Sequence, residues 1–508
     1  MDKKITQRKH FEIFLLVAVF IISTCGLIYE LVAGALASYL LGDSVRQFSF
    51  VIGIYLFSMG VGSYFAKFIK KNLFDRFIEI ELLIGIIGGS SAVVLFLLFQ
   101  HVEHFQFLLY FFVFLTGCLA GMEIPLLMSI LKDRVEFREL VSNVFTFDYI
   151  GALIASVLFP ILLLPKLGVM GTSLFFGIIN TLVGIVLCFY LKNELVKPKQ
   201  LKLKSFGSLL ILIILLIYSN DILKYSENQL YANRIIYEHS TTYQRIVLTE
   251  NKGNYQLFLN NNLQFNTKDE YRYHEVLVHP AMAAAKNPER ILILGGGDGL
   301  AAREVYKYPK VKEITLVDLD EGMTNLFKTN EILVDYNKNS LNDPRTTIIN
   351  TDAFIWIKNN TKQFDVVIID FPDPSNYSLG KLYTTTFYRS LMQSLDPQAV
   401  VSVQTTSPYF APKSFWCVNE TIGSIFPNNQ AYHTYVPSFG EWGFTLFSPE
   451  MKINLNRVVN KVEGLKYYDY DFKKLTDFPD DIAPREVEIN RLDNQILVRY
   501  FDEEWSKI

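Results

Sequence analysis

Six apolar runs, each long enough to cross a bilayer, fill most of the first 191 residues: about 12–36, 48–68, 78–100, 105–131, 143–165 and 169–191. Roughly 20 apolar residues are needed to cross a ~30 Å hydrocarbon core, where an unpaired backbone has no water to bond. Helices are the one form such runs can take there. The loops carry the orientation. Lys3, Lys4, Arg8 and Lys9 precede the first run; Lys67, Lys70, Lys71 and Arg76 follow the second. Lys132, Arg134 and Arg138 follow the fourth, and Lys192, Lys197, Lys199, Lys202 and Lys204 the sixth, while the alternate loops hold little more than Arg46 and Lys166. Positive charge stays on the cytoplasmic side, so the N-terminus and the loop after the sixth run are expected there. The basic start is followed by too long a run, with no small-x-small site, for a cleaved signal peptide.

A seventh run, FGSLLILIILLIY at 206–218, is short. It either lies in the interface, leaving the rest of the chain in the cytoplasm, or crosses with Lys202 and Lys204 snorkelling, putting the rest of the chain outside. Two echoes suggest an internal repeat with an offset of 93 residues. CGLIYE (25–30) matches CLAGME (118–123), and SFVIGIYLFSMGVGS (49–63) matches SNVFTFDYIGALIAS (142–156). Three crossings per copy would invert the second copy. Glu30, Glu123 and Asp148 fall inside these runs, where carboxyl groups are costly. They are either neutralised by protons and neighbouring helices, or they form an acidic path for a cationic solute.

Beyond about residue 230 the character changes to strand-like runs, polar turns and distributed charge. A net charge of −3, with no basic stripe in this half, gives no footprint for nucleic acid. The four cysteines, Cys25, Cys118, Cys188 and Cys417, make no CxxC pair or metal-ligand spacing and read as small buried residues. RIIYEHS, YQRIVLTE and NYQLFLNNNLQF predict a small antiparallel sheet, and 269–286 a helix. The runs ILILG (291–295), EITLVDLD (313–320), TTIIN, DVVIID (365–370) and AVVSVQT (399–405) then alternate with helical segments. That order predicts a doubly wound α/β sheet whose ligand lies beyond the carboxyl ends of the strands.

Those ends are acidic: Asp298 after the first strand, Asp318 after the second, Asp352 after the third, Asp370 and Asp373 after the fourth. Taken singly, Asp352 or Asp373 could merely cap a helix or make a turn. Together the five require a ligand with hydrogen-bond donors and positive charge to offset their repulsion. The glycine turn is GGGDG (295–299), which fits neither GxGxxG nor a P-loop and is closer to a nucleoside-binding methyltransferase loop. No HxxxH or cysteine cluster suggests a metal.

YQRI (243–246), DEYRYHE (269–275), GGGDG, LVDLD (316–320), TDA (351–353), DFPDP (370–374) and LYTTTFY (382–388) occur in an order that resembles the spermidine synthases. With the N-terminal spans, the chain looks like the membrane-attached bacterial branch of these polyamine aminopropyltransferases. The resemblance implies transfer of an aminopropyl group from decarboxylated S-adenosylmethionine, a co-substrate, to putrescine or a related amine, with no prosthetic group. It implies that Gln244 and Asp318 hold the nucleoside, and Asp352 and Ala353 the adenine. His274 and Asp298 would line the amine site, Asp370 would be the base and Asp373 would bind the polyamine. Tyr273, Tyr383 and Trp442 would be aromatic walls, although Trp442 and Tyr383 also suit a core. SNYSLGK (375–381) departs from the family's Gly/Pro-rich loop, which leaves the acceptor open.

The expected organisation is a transmembrane α-helical bundle with six spans (1–205), then a seventh apolar segment and linker (206–230). A small β domain (231–268), a Rossmann-like domain of the class I methyltransferase type (269–460) and a charged tail (461–508) complete the chain. The expected partners are the two small-molecule substrates and the lipid bilayer, without nucleic acid; a homo-oligomer is left open. The N-terminus is expected in the cytoplasm, and the catalytic domain with it because the donor is made inside cells. Two rivals stand: a methyltransferase using intact S-adenosylmethionine, and a non-enzymatic polyamine sensor or transporter.

Overall fold

The computed structural model describes residues 2–41, 44–99, 101–132, 137–453 and 458–507; Arg134 of the loop charges lies outside them. The chain forms two compact units, Met1–Asn233 and Arg234–Ile508.

The first unit is helical: α1 Asp2–Leu41, α2 Ser44–Ala66, α3 Leu73–Leu98, α4 Phe105–Leu131, α5 Phe137–Leu158, α6 Leu164–Tyr190, α7 Pro198–Ile217 and α8 Ser219–Leu230. Among the described residues, six helical stretches are long and apolar enough to cross a membrane. One of them, Val141–Tyr190, holds 50 residues. At 1.5 Å per residue it is more than twice a bilayer core in length, and it turns at Gly168 (φ 65°, ψ 179°).

Contacts define the two ends of the bundle. At one, Phe14 stacks on Tyr190 with ring centroids 4.0 Å apart. There too the Asp75 carboxylate accepts the Val196 and Lys197 N–H groups, each at 2.9 Å. At the other end Tyr39 meets Phe96 at 5.8 Å and Phe99 meets Phe105 at 4.9 Å. The loops bearing Lys67, Lys70, Lys71 and Arg76, and Lys192 to Lys204, fall at the first end, matching the alternation of charge.

The run at 206–218, left open by the sequence, lies in α7 and packs along α3. Lys204 pairs with Glu79 at 2.6 Å, Leu212 packs on Gly89 and Gly177, and Ser226 Oγ donates to the Phe96 carbonyl at 2.7 Å. α7 and α8 therefore follow α3 from its first turn to its last, and the chain leaves the bundle at the end opposite to its start.

The second unit opens with an antiparallel sheet of β1 Arg234–Ser240, β2 Arg245–Asn251, β3 Asn254–Leu259 and β4 Asn262–Asn266. Helix α9 (Glu270–Ala284) leads to β5 Arg290–Gly295, followed by α10 (Leu300–Val305). Then come β6 Glu313–Asp318, β7 Thr346–Asn350, β8 Phe364–Asp370, β9 Leu395–Gln404, β10 Asn428–Val436 and β11 Gly440–Ser448. The large sheet runs β10-β11-β9-β8-β5-β6-β7, parallel from β9 to β7, with β10 and β11 antiparallel at one edge. Ile291 to Leu294 are fully buried, as a central parallel strand requires. The order reverses at β5, between β6 on one side and β8 on the other, which makes the carboxyl ends of β5 and β8 the topological switch point. Gly295 and Asp370 are register partners there.

The tail packs within this unit. Glu275 accepts the N–H groups of Lys466, Tyr467 and Tyr468, and Asn490 Nδ2 donates to the carbonyls of Gly380 and Tyr383, both at 3.1 Å.

Candidate active site

The switch point is built around glycines that cannot carry a side chain. A Cβ on Gly295 (φ 82°) would stand 2.2 Å from the Asp370 carbonyl, and one on Gly297 2.7 Å from the Asp318 carboxylate. Gly297 N–H donates to Asp318 at 3.1 Å, and Asp320 N–H donates to it at 2.9 Å. Burial, with Asp320 and Asp298 nearby, lifts the Asp318 carboxyl to about 6.

Asp298 is 9% exposed and accepts the Leu300 N–H at 2.9 Å, which fixes its carboxylate at the start of α10. Burial raises it to about 6; the charge of His274 pulls it down and that of Asp370 pushes it up. Asp370 ends β8 and takes a 2.5 Å hydrogen bond from the Tyr273 hydroxyl. Its carboxyl is raised by burial, against the lowering effects of His274 and Tyr273. Asp373 has a buried Oδ1 with no hydrogen-bond partner, and burial lifts it to about 7. Four buried carboxyl groups, each raised above the usual carboxylate range by burial, stand on the ends of three adjacent strands and form a site short of positive charge.

His274 comes from α9, where Glu270 stands one turn earlier. Its Nδ1 is 2.7 Å from Glu270 Oε2. Burial works against the imidazolium, but Glu270 outweighs it and holds His274 at about 9. Glu270 also accepts from both Arg303 Nη atoms (3.1 and 2.9 Å) and from the Tyr336 hydroxyl at 2.9 Å. Burial opposes its charge, yet His274 and Arg303 depress it to about 2. Glu270 is not among the residues singled out from the sequence, although its i,i+4 spacing to His274 is the available signal.

The remaining expected residues divide. Gln244 Nε2 donates to Asp320 at 2.8 Å, which brings it to the end of β6 beside Asp318; Asp320 is a further residue that sequence reasoning does not single out. Asp352 takes the capping role foreseen for it, accepting Phe354 N–H at 2.8 Å, and its other oxygen binds Lys381 at 2.5 Å. Ala353 is buried at the first turn of that helix. Tyr383 is fully buried under the DFPDP loop, its hydroxyl donating to the Pro372 carbonyl at 3.0 Å and accepting from Gln404 at 2.8 Å. It supports the loop from below. Trp442 belongs to an aromatic group, 6.5 Å from Tyr273 and 5.1 Å from Phe439, and its buried Nε1 lacks a partner. Tyr377 is half exposed on a short helix, Tyr377–Gly380, that replaces an irregular loop.

Thr406, just past β9, is invisible to sequence reasoning. It is buried with φ 63°, a left-handed conformation that costs a β-branched residue about 1–3 kcal/mol. Its Oγ1 and that of Thr405 are buried without partners. Such strain concentrates where a ligand is held.

The spermine/spermidine synthase domain family matches residues 270–457. The chain is 50% identical to the polyamine aminopropyltransferase of Leptospira interrogans serogroup Icterohaemorrhagiae serovar copenhageni, across 97% of this chain and 99% of that one. It is 46% identical to polyamine aminopropyltransferase 2 of Ralstonia nicotianae, across 97% and 98%. Among solved structures, a spermidine synthase in complex with the transition-state analogue AdoDATO is 25% identical, with a TM-score of 0.46 over 54% of this chain and 89% of that one.

Proposed function

The chain belongs to the spermine/spermidine synthase family of polyamine aminopropyltransferases, and we propose that its second unit carries an aminopropyl group from decarboxylated S-adenosylmethionine to putrescine or a related amine. The observation that carries this reading is the cluster of buried carboxyl groups, Asp298, Asp318, Asp370 and Asp373, around the Gly295–Asp370 register pair. A sulfonium with a protonated propylamine, and an acceptor diamine, bring the positive charge that such a site lacks.

Asp318, with Gln244 beside it, holds the ribose of the donor. Ala353 and the Asp352 turn meet the adenine. Asp298 and the His274–Glu270 pair line the amine site, where Asp298 draws the donor's ammonium. Asp373 takes the acceptor's distal ammonium, and Tyr273 and Trp442 wall its methylene chain, which cationic chains favour. Asp370 receives a proton from the attacking amine. The free amine nitrogen then forms a bond to the propyl carbon, and the carbon–sulfur bond breaks with its electrons passing to sulfur. The products are spermidine, or its analogue, and methylthioadenosine. Aligning nitrogen, carbon and sulfur in line supplies much of the acceleration, and the base contributes typically 10²–10⁴-fold.

The first unit is read as crossing a bilayer, so that the protein is an integral membrane transferase. Mass spectrometry of products from decarboxylated donor and a panel of diamines and triamines tests the reading. Spermidine from putrescine is expected, with Asp370→Asn losing at least 100-fold in turnover while still binding donor. Methyl transfer from intact S-adenosylmethionine without aminopropyl transfer would make it a methyltransferase. Retention of function by Asp370→Asn would make it a binder.

A further inference from the structure

The helix pairings of the first unit have a symmetry the sequence only hinted at. α1 packs on α5, α2 on α4 and α3 on α6. Exchanging each helix for the one three places on maps α1–α5 onto α4–α2 and returns α3–α6 to itself. The match extends to single residues. A Cβ on Gly151 of α5 would meet Thr24 of α1 at 2.9 Å, and one on Gly117 of α4 would meet Ser58 of α2 at 2.8 Å. Thr24 to Gly117 and Ser58 to Gly151 are both displacements of 93 residues, the offset of the sequence echoes. α1 runs from the basic end of the bundle and α4 towards it, so the copies are inverted. In bundles of this construction, solutes bind near the midplane where the copies meet.

Carboxyl groups converge on that interface from four helices: Glu30 of α1, Glu81 of α3, Glu123 of α4 and Asp148 of α5. Glu123 is within electrostatic reach of Glu81 and Asp148, and Tyr55 within reach of Glu30, Glu123 and Asp148. Tyr29, 3% exposed, stands among Glu81, Glu123 and Tyr55. Its hydroxyl has no hydrogen-bond partner, and neither do Glu81 Oε1 or Glu123 Oε1, all of them buried. Asn180 Nδ2 occupies one face of Glu81, reaching Oε2 at 3.2 Å. Unsatisfied polar atoms inside an apolar bundle are expensive. Their clustering marks a place for donors.

The geometry selects the kind of donor. Among the described residues, no three carboxylate, histidine or cysteine side chains are close enough to share one metal ion. The carboxyl groups are spread over four helices, within electrostatic reach of one another or of Tyr55 rather than gathered around one point. A ligand whose positive charges are spaced along a flexible apolar chain fits, with tyrosine rings against its methylenes.

We propose that Glu30, Glu81, Glu123 and Asp148, with Tyr29 and Tyr55, form a second polyamine site at the inverted-repeat interface, through which an alkyl polyammonium ion crosses the membrane. The identification of the cation as a polyamine rests on the reading of the catalytic unit; the site itself does not. The full-length protein in proteoliposomes loaded with unlabelled spermidine, given external radiolabelled spermidine, tests it by exchange. Tracer entry above protein-free liposomes is expected, falling at least 10-fold in Glu81→Gln and Glu123→Gln and recovering in part in Glu123→Asp, which restores the charge. Aminopropyl transfer by the same preparations should be unchanged. No exchange by the wild type, equal exchange by the Gln variants, or no recovery with Asp overturns the proposal. Proton movement without amine, read by an internal pH dye, overturns it in favour of a proton path. Spermidine exchange by a chain that transfers no aminopropyl group would sink the catalytic reading and leave this site standing.

Discussion

Tyr273→Phe isolates the part of the site that sets the base. The tyrosine hydroxyl donates to Asp370 at 2.5 Å, and the ring is fixed independently against Phe439, Trp442 and Phe444. Phenylalanine keeps that packing and removes one bond to a buried carboxylate. Hydrogen bonds to charged groups contribute about 1.5–3 kcal/mol, and 1.36 kcal/mol corresponds to one pH unit. Asp370 is active as the ionised form, and the tyrosine favours that form against burial. Its loss therefore raises the pKa, by about 1–2 pH units on these figures. The acid limb of the kcat/KM profile should move to higher pH by that amount. Below both limbs the variant falls about 10–100-fold behind the wild type, and above both the two converge. Asp298 and Asp373, at about 6 and about 7, also titrate, so the measurement is the displacement between two profiles taken with the same amine. An unmoved limb, or an equal loss at every pH, would refute the assignment and leave Tyr273 as a wall for substrate.

Two further outcomes are expected. Glu270 is held at about 2 against its usual 4.5, so it stabilises the folded unit by on the order of 3 kcal/mol above pH 4.5 and loses that contribution as pH falls towards 2. Glu270→Gln should lower the thermal inactivation midpoint of the full-length enzyme by about 5–10 °C at neutral pH, with the gap closing under acid; an unchanged midpoint would show that Arg303 and His274 are held by other means. Because α7 and α8 follow α3 to its far end, reporters fused to the N-terminus and to the C-terminus should read opposite faces of the membrane. Reporters on the same face would mean that α7 does not cross. The expectations of a cytoplasmic N-terminus and a cytoplasmic catalytic unit cannot both survive a crossing α7.

How much the sequence discloses depends on the range of each signal. The parallel strands are legible because β5 and β8 are continuous apolar runs, and the ligand side is legible because their ends carry aspartates. β10 and β11 escape sequence reasoning: NNQAYHTYV mixes polar residues into an edge strand, and its pairing depends on a turn at Gly440 (φ 77°). Asp352 and Tyr383 stand out by motif, but their partners, Lys381 and Gln404, come from other elements and cannot be read from local pattern. Thr406 is unreadable in principle, since its conformation opposes its own propensity and its partners are distant in sequence, its carbonyl accepting from Gly443 N–H of β11 at 2.8 Å. In the bundle, the repeat is faint in residue identity and distinct in packing, because small side chains at helix crossings conserve a distance without conserving a residue type.

In its proposed role at the amine site, Asp298 has a geometry suited to telling two related donors apart. Its Oδ1 accepts the Leu300 amide, which orients the carboxylate, and the following Gly299 holds the left-handed turn (φ 74°). An intact S-adenosylmethionine would bring its own carboxylate towards Asp298 and Asp370, whose mutual repulsion already raises Asp298. Burial keeps that repulsion unscreened. Both donors carry an ammonium, but the decarboxylated one presents it without a carboxylate beside it, so that it can draw the proton off Asp298 and form a charge-assisted hydrogen bond. On the proposed assignment the same carboxylate disfavours one donor and holds the other, with its neighbour Asp370 left to take the proton of the acceptor.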